Sequence, residues 1–261
     1  MLLDEFDPQE KAIFNPEMVF APLPGMPQTA VSCFSSVTFR RMLGLFPEAE
    51  QIAELKCASQ VFPVYRVRYG GVDLALYQSA VGAACCVGQQ EEVYALGARC
   101  VVIFGTCGVL DAAIGDCAII LPTHALRDEG VSYHYAPASD EIAVNIHHGQ
   151  LFRALLAELG VSCVTGKTWT TDAIYRETRE KAERRRAAGC VAVDMECASV
   201  AAVAQFRGKQ ALHFFYAADN LAGTQWDARS LSNHAMLEEK DRIAAIALEA
   251  ARRITLDDQD H

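Results

Sequence analysis

No apolar run in the chain reaches the roughly 20 residues that a membrane-spanning helix requires. Basic residues are in the minority. There are 23 Lys and Arg against 33 Asp and Glu, for a formal net charge of −10. A surface of that sign repels phosphate backbones and anionic lipid heads, so neither nucleic acid nor a membrane is an expected partner. The basic cluster from Lys181 to Arg186 is interrupted by Glu183 and reads as the solvated face of a helix. Met1 to Glu10 lacks the basic start and apolar run of a secretion signal. None of the ten cysteines stands at CxxC spacing. Cys85, Cys86, Cys100, Cys107, Cys117, Cys163, Cys190 and Cys197 lie in apolar or small-residue stretches and read as small core hydrophobes. These absences argue against a disulfide scaffold and for a reduced, cytoplasmic setting. No Cys, His, Asp and Glu cluster has metal-ligand spacing, so no metal and no bound cofactor are expected. The phosphate-loop pattern ending in GK[ST] and the GxGxxG fingerprint are also missing.

What is present is apolar residue in quantity: 51% of 261 positions, against 21% charged. That suffices for one α/β domain of the larger size. The chain reads as a single domain over 1–261, with 1–30 an irregular lead-in carrying Pro8, Pro16, Pro22, Pro24 and Pro27. Short helices are predicted over Val37 to Leu45 and Ala49 to Lys56. A hairpin is predicted at Gly70-Gly71, between Val61 to Tyr69 and Val72 to Gln78. Beyond it, strands alternate with helices. The helices fall at Ala83 to Leu96, His147 to Leu159, Ala173 to Ala188, Glu196 to Phe206 and Leu237 to Arg253. Short strands fall at Val101 to Phe104, Ala118 to Leu121 (ended by Pro122), Val161 to Thr165, Val191 to Val193 and Ala211 to Tyr216. The expected fold is a three-layer α/β/α arrangement around a mostly parallel or mixed sheet. Sites in such sheets lie beyond the carboxyl ends of the strands.

Four segments at such ends carry chemistry. Phe104-Gly105-Thr106-Cys107-Gly108 follows a buried strand. It is either a flexible turn or a group of backbone N–H donors for an anion, with the Thr106 hydroxyl beside them. Asp194-Met195-Glu196 joins a strand to a helix. Either Asp194 caps the helix and Glu196 favours its first turn, or one carboxylate takes both hydroxyls of a ribose, with Met195 packing on the sugar or base. Asp219 follows the apolar run ending at Tyr216. It is exposed, capping, or in a pocket where an acidic side chain suits proton donation. Arg127 to Tyr135 is a long loop rich in charge and aromatics, in which His134 is either a sugar donor or a satisfied structural histidine. Asp172 reads as an N-cap.

Three of these segments, in this order and spacing, resemble the nucleoside phosphorylase superfamily. They are Phe104-Gly105-Thr106-Cys107-Gly108, Val193-Asp194-Met195-Glu196-Cys197-Ala198 and Ala218-Asp219-Asn220. Thr171-Asp172-Ala173-Ile174-Tyr175 and the Asp128 to Pro137 stretch are similar to further family segments, and the likeness runs from about Val72 to Ile254. The resemblance implies phosphorolysis of a ribonucleoside to ribose 1-phosphate and free base, with inorganic phosphate as co-substrate and no cofactor. It implies a homo-oligomer, dimer or hexamer. It gives Asp219 the general-acid place opposite the base and Glu196 the ribose hydroxyls. Met195, Asp194, His134, Tyr175 and Asn220 fall among the other substrate contacts. Gly105, Thr106, Gly25 and Arg127 fall at the phosphate.

The family's Gly-Asp-Pro phosphate loop and following Arg have no counterpart in Gly25-Met26-Pro27-Gln28-Thr29, and Ile103 stands where phosphorylases carry Arg. Arg40, Arg41, Arg66, Arg68 or Arg127, from this or a neighbouring subunit, are the substitutes available. Leu221 replaces the Arg of uridine phosphorylases, and Arg176-Glu177-Thr178-Arg179 replaces their Gln-x-Arg stretch, which favours a purine. The alternatives are a uridine phosphorylase with altered base contacts, a hydrolytic nucleosidase on the same fold, and a non-catalytic nucleoside-binding protein.

Overall fold

The computed structural model describes residues 2–232 and 234–258. Apart from short 3-10 turns at Leu2–Asp4 and Pro16–Met18, the described part of the lead-in is irregular up to β1 (Thr29–Cys33). Then come α1 (Ser36–Leu43), β2 (Glu50–Cys57), β3 (Gln60–Tyr69), β4 (Val72–Gln78), α2 (Ala83–Leu96), β5 (Cys100–Val109) and β6 (Ile119–Asp128). A 3-10 turn (Val131–His134), β7 (Glu141–Ala143), α3 (Gly149–Glu158) and β8 (Cys163–Thr171) follow. A 3-10 turn (Ile174–Arg176), α4 (Arg179–Ala187), β9 (Cys190–Asp194), α5 (Cys197–Phe206), β10 (Gln210–Asn220) and α6 (Leu237–Asp257) complete the described chain.

The strands form one mixed sheet in the order β10-β6-β8-β9-β5-β1-β4-β3-β2, and β10 also pairs with β5. That extra pairing closes β5, β9, β8, β6 and β10 into a barrel, from which β1, β4, β3 and β2 extend as an open sheet. Parallel ladders join β1 to β4 and β5, β5 to β10, β6 to β8, and β8 to β9; the other ladders are antiparallel. Residues Cys100 to Phe104 of β5 are wholly buried, as a central strand with cover on both faces requires.

Helices α1, α3 and α6 cover one face, and α2 and α5 the other. In α6, Ile243, Ala247, Ala250 and Ile254 recur three and four residues apart and all face the core. Each fully buried Ile there contributes about 1.5–3 kcal/mol. Glu238 and Glu239 occupy its first turn, where the helix dipole favours negative charge. No helix among the described residues is long and apolar enough to cross a membrane.

Four expectations about local structure are corrected. Ala49 to Lys56 is not a helix but edge strand β2, paired with β3. Pro122 does not end its strand: β6 runs on to Asp128, with a register shift between Pro122 and His124. Thr29, placed in the lead-in, opens β1. Helix Ala173 to Ala188 is interrupted, with a 3-10 turn and then α4 in its place.

Candidate active site

Strand β5 shares one of its edges between two neighbours. β1 pairs with it as far as Phe104, and β9 only from Gly108. Between them, Gly105 to Cys107 has no strand partner on that side, while β10 pairs along the other. Gly105 to Gly108, for which a flexible turn is one of the two readings of the sequence, is therefore a strand whose edge opens where β1 and β9 part. The glycines are needed for close approach. A Cβ on Gly105 would lie 2.5 Å from the Phe34 ring, and one on Gly108 would lie 2.5 Å from Leu221 and 3.3 Å from Asp219 Oδ1. The end of β9, the chain leaving β1 and the end of β10 converge on this gap.

Asp194, at the end of β9, is buried at the floor of this gap. Its Oδ1 accepts the hydroxyls of Thr168 and Thr170, each at 2.9 Å. Its Oδ2 accepts the N–H groups of Glu196 at 2.8 Å and Cys197 at 2.6 Å. Every acceptor position is taken, so Asp194 anchors the start of α5. Burial pushes its carboxyl up to about 6, against the pull of these four hydrogen bonds. The next carboxyl, Glu196, is 5% exposed and turns the other way, into the gap. Its Oε1 accepts the N–H of Gly82 at 2.6 Å, at the N-terminal end of α2. Burial, reinforced by the charge of Asp194, pushes it up to about 8. Its remaining acceptor positions suit a pair of neighbouring hydroxyls.

Asp219, in the bulge of β10 between Ala217 and Asn220, accepts the indole N–H of Trp226 at its Oδ2, 2.8 Å away. Asn220 does not reach the cleft. Its backbone bridges Asp227 and its side chain accepts the Ala222 N–H at 2.8 Å, closing the loop that carries Trp226. Asp219 and Glu196 line one cavity of about 170 Å³, with Thr106, Gly108, Met195, Phe34 and Val81. Ile174, Glu177, Asp219 and Leu231 are shared with an adjoining groove of about 560 Å³, which Tyr175, Leu221 and Trp226 also line. Together they have the size of a small-ligand site. The inner end has acceptors for hydroxyls, and the outer end has carboxyls beside apolar and aromatic surface.

Glu177 was not anticipated as a site residue. Burial pushes its carboxyl up to about 7, helped by repulsion from Asp219. In sequence it was visible only as an acidic residue inside Arg176-Glu177-Thr178-Arg179. Phe34 and Trp226 were missed too, since no local pattern marks an aromatic that a distant strand or loop brings to a cleft.

Other anticipated contacts lie elsewhere. Gly25 precedes β1 and sits by the start of β5, where Arg99 and Cys100 donate to Gln28 O at 2.8 and 3.1 Å. Thr106 is six residues further along that strand, roughly 20 Å at the usual rise. Gly25 is thus at the wrong end of the sheet for the phosphate place, and the segment that does leave β1 towards the gap is Phe34-Ser35. Arg127 is also spent. It donates to Ser132 Oγ (2.8 Å), Pro137 O (2.7 Å), Ser139 Oγ (2.9 Å) and Ala136 O (3.2 Å), and its guanidinium stacks on Tyr133. It shapes its own loop instead of lining the cleft. His134 is exposed at the end of its 3-10 turn and is not part of the cleft in this chain. Asp172 caps no helix; it accepts the Gly130 N–H at 3.0 Å. Arg66 and Arg68 pair with Glu50 and Asp73, and Arg41 with Asp241.

Residues 37–257 match the phosphorylase superfamily. The chain belongs to that superfamily. It is an enzyme of the pentosyltransferase type. It is similar to a guanosine phosphorylase of Halorubrum lacusprofundi, 27% identical over 213 residues that make up 78% of this chain and 83% of the relative. Its fold is that of purine nucleoside phosphorylase from Toxoplasma gondii, solved in complex with immucillin-H. The TM-score is 0.77 at 18% identity, covering 91% of this chain and 97% of that one. Uridine phosphorylase from Vibrio fischeri matches at a TM-score of 0.75 and 20% identity, covering 93% and 99%.

Proposed function

We propose that this enzyme cleaves the N-glycosidic bond of a purine ribonucleoside by phosphorolysis, giving ribose 1-phosphate and the free base, with a 6-oxopurine such as guanosine preferred. The observation that carries this reading is that Glu196 and Asp219 line the same cavity. Glu196 accepts the 2′ and 3′ hydroxyls, and Met195 packs beneath the sugar. As the bond breaks, negative charge grows on the imidazole side of the base, and a proton shared from Asp219 to N7 offsets it. The Trp226 indole holds Asp219 in place. Glu177 adds a second carboxyl at the base end, suited to the N–H groups along the N1 and 2-amino edge of guanine. The name of the Halorubrum relative supports the same base. Phosphate enters at the open edge of Gly105 and Thr106. Cationic contacts to it come from outside the inner cavity, which favours a homo-oligomer; the exposed His134 is then free to serve a neighbouring copy.

One observation favours hydrolysis instead. Among the described residues, no Lys, Arg or His lines the inner cavity, and the Phe34 ring lies against Gly105. A dianion is poorly held without such charges, whereas water needs none. The experiment is to incubate the protein with guanosine, inosine, adenosine or uridine, with and without phosphate. Ribose 1-phosphate formed from the 6-oxopurines only when phosphate is present is the expected result. Free ribose formed without phosphate selects the hydrolytic reading. No base released from any nucleoside overturns both.

A further inference from the structure

On the face covered by α2, away from the cleft, a second cavity of about 160 Å³ lies between the β2–β3 hairpin and the first turns of α2. Two thiols line it. Cys57 ends β2 and is exposed, with its sulfur 3.3 Å from Ser59 Oγ. Cys85 is the third residue of α2 and half-buried. Each lies close enough to alter the other's ionisation. The hydroxyl and backbone of Ser59 hold the Cys57 thiol below its ordinary range, while burial and then Cys57 itself hold Cys85 above it. A thiolate-prone, accessible cysteine beside a second thiol is the arrangement of a nucleophile and a resolving partner. Among the described residues no three His, Cys, Asp or Glu side chains converge as a metal site would require.

The cavity is tied to the cleft. Gln89 lines it, and its side chain accepts the Ala80 N–H at 2.7 Å and donates to Gln78 O at 3.3 Å. It therefore holds the segment that continues into Val81, which lines the cleft, and Gly82, whose N–H anchors Glu196.

We propose that Cys57 and Cys85 form a reversible dithiol–disulfide pair whose oxidation clamps the hairpin to the start of α2 and thereby alters the grip of Glu196 on its ligand. The oxidant is a low-molecular-weight disulfide. The Cys57 thiolate attacks one of its sulfurs, that S–S bond breaks, and one thiolate leaves. Cys85 then gives its proton to solvent, and its thiolate attacks Cys57 Sγ and expels the second external thiol. Two protein thiols are oxidised and one external disulfide is reduced to two thiols. The effect on ligand grip rests on the sugar-binding reading of Glu196; the pairing itself does not.

The test equilibrates the full chain in mixtures of oxidised and reduced glutathione. It then maps peptides without reduction and measures nucleoside KM. The expected result is a Cys57–Cys85 linked peptide, loss of two titratable thiols, a several-fold change in KM, and reversal by dithiothreitol. C57S and C85S should keep the reduced enzyme's activity and lose the response. Glutathione retained on Cys57 with Cys85 free, a different pairing, or no disulfide would each overturn the pair. A disulfide that forms with KM unchanged would overturn the coupling. Because the peptide map needs no substrate, failure of the pair is distinguishable from failure of the nucleoside reading.

Discussion

Binding of a nucleoside should expel a proton from Glu196. With no ligand, burial holds this carboxyl up at about 8, so at pH 7 it carries its proton about 0.9 of the time. Two sugar hydroxyls donating to it favour the ionised form, and the bound complex keeps it charged well below that range. Below about pH 8 the protein must therefore give up a proton to bind, and affinity weakens about tenfold per pH unit. At pH 6 the cost is about 2.7 kcal/mol, or about 100-fold in Kd. The assay is isothermal titration calorimetry with a nucleoside analogue in buffers of different ionisation enthalpy, from pH 6 to 9. Asp194 and Glu177 also titrate in this region, at about 6 and about 7, so Glu196 is isolated as the difference between wild type and Glu196→Gln. Wild type should release close to one proton more than the variant at pH 7 and should have the steeper pH slope. Equal release and equal slopes would refute the reasoning. Stability carries the opposite sign. A carboxyl with a raised folded pKa contributes stability below its ordinary value of 4.5 and loses that contribution as pH rises through about 8. The free protein's Tm should fall across that window through this group, and bound nucleoside should restore it.

Asp219→Asn should lower kcat for purine nucleosides by about 10²- to 10⁴-fold with little change in Kd, measured by base release and calorimetry; unchanged turnover would remove Asp219 from the chemistry. Glu177→Gln should remove a step near pH 7 from the kcat/KM profile for guanosine, because its carboxyl is held at about 7 by burial and by Asp219; an unaltered profile would separate Glu177 from the reaction. Gly108→Ala places a methyl against Leu221, Val193 and Asp219. Overpacking of this kind costs about 1–3 kcal/mol, and displacement of Asp219 should lower kcat in a chain that still folds. Asp194→Ala strips the acceptor from two backbone N–H groups and two threonine hydroxyls. A loss of about 3 kcal/mol is expected in urea denaturation, and a loss below about 1 kcal/mol would contradict its anchoring role.

The elements legible in the sequence are those whose pattern is local. Helix α2 has its predicted limits, Ala83–Leu96, because Gly82 and Gly97 bound it. The β3–β4 hairpin follows from Gly70-Gly71, both with positive φ. Edge strand β2 was misread because only Leu55 of its eight residues is buried, so an alternating pattern has little to show. Gly105 to Gly108 leaves a turn open as one reading because glycine serves flexible turns and close approach alike, and only the positions of Phe34, Leu221 and Asp219 distinguish the two uses. The site divides in the same way. Glu196 and Asp219 stand at strand ends, where α/β sheets place their ligands. Glu177 and Trp226 reach Asp219 through tertiary folding alone, and the strand order placed Gly25 at the opposite end of the sheet.

A crystal structure with a C-nucleoside analogue of guanosine, whose carbon–carbon glycosidic bond cannot be cleaved, would bear most directly on the shared cleft. The ribose diol should lie on the Glu196 carboxylate while the ring nitrogen on the imidazole side faces Asp219. An analogue bound with its diol away from Glu196, or with its base out of reach of Asp219, would contradict the account.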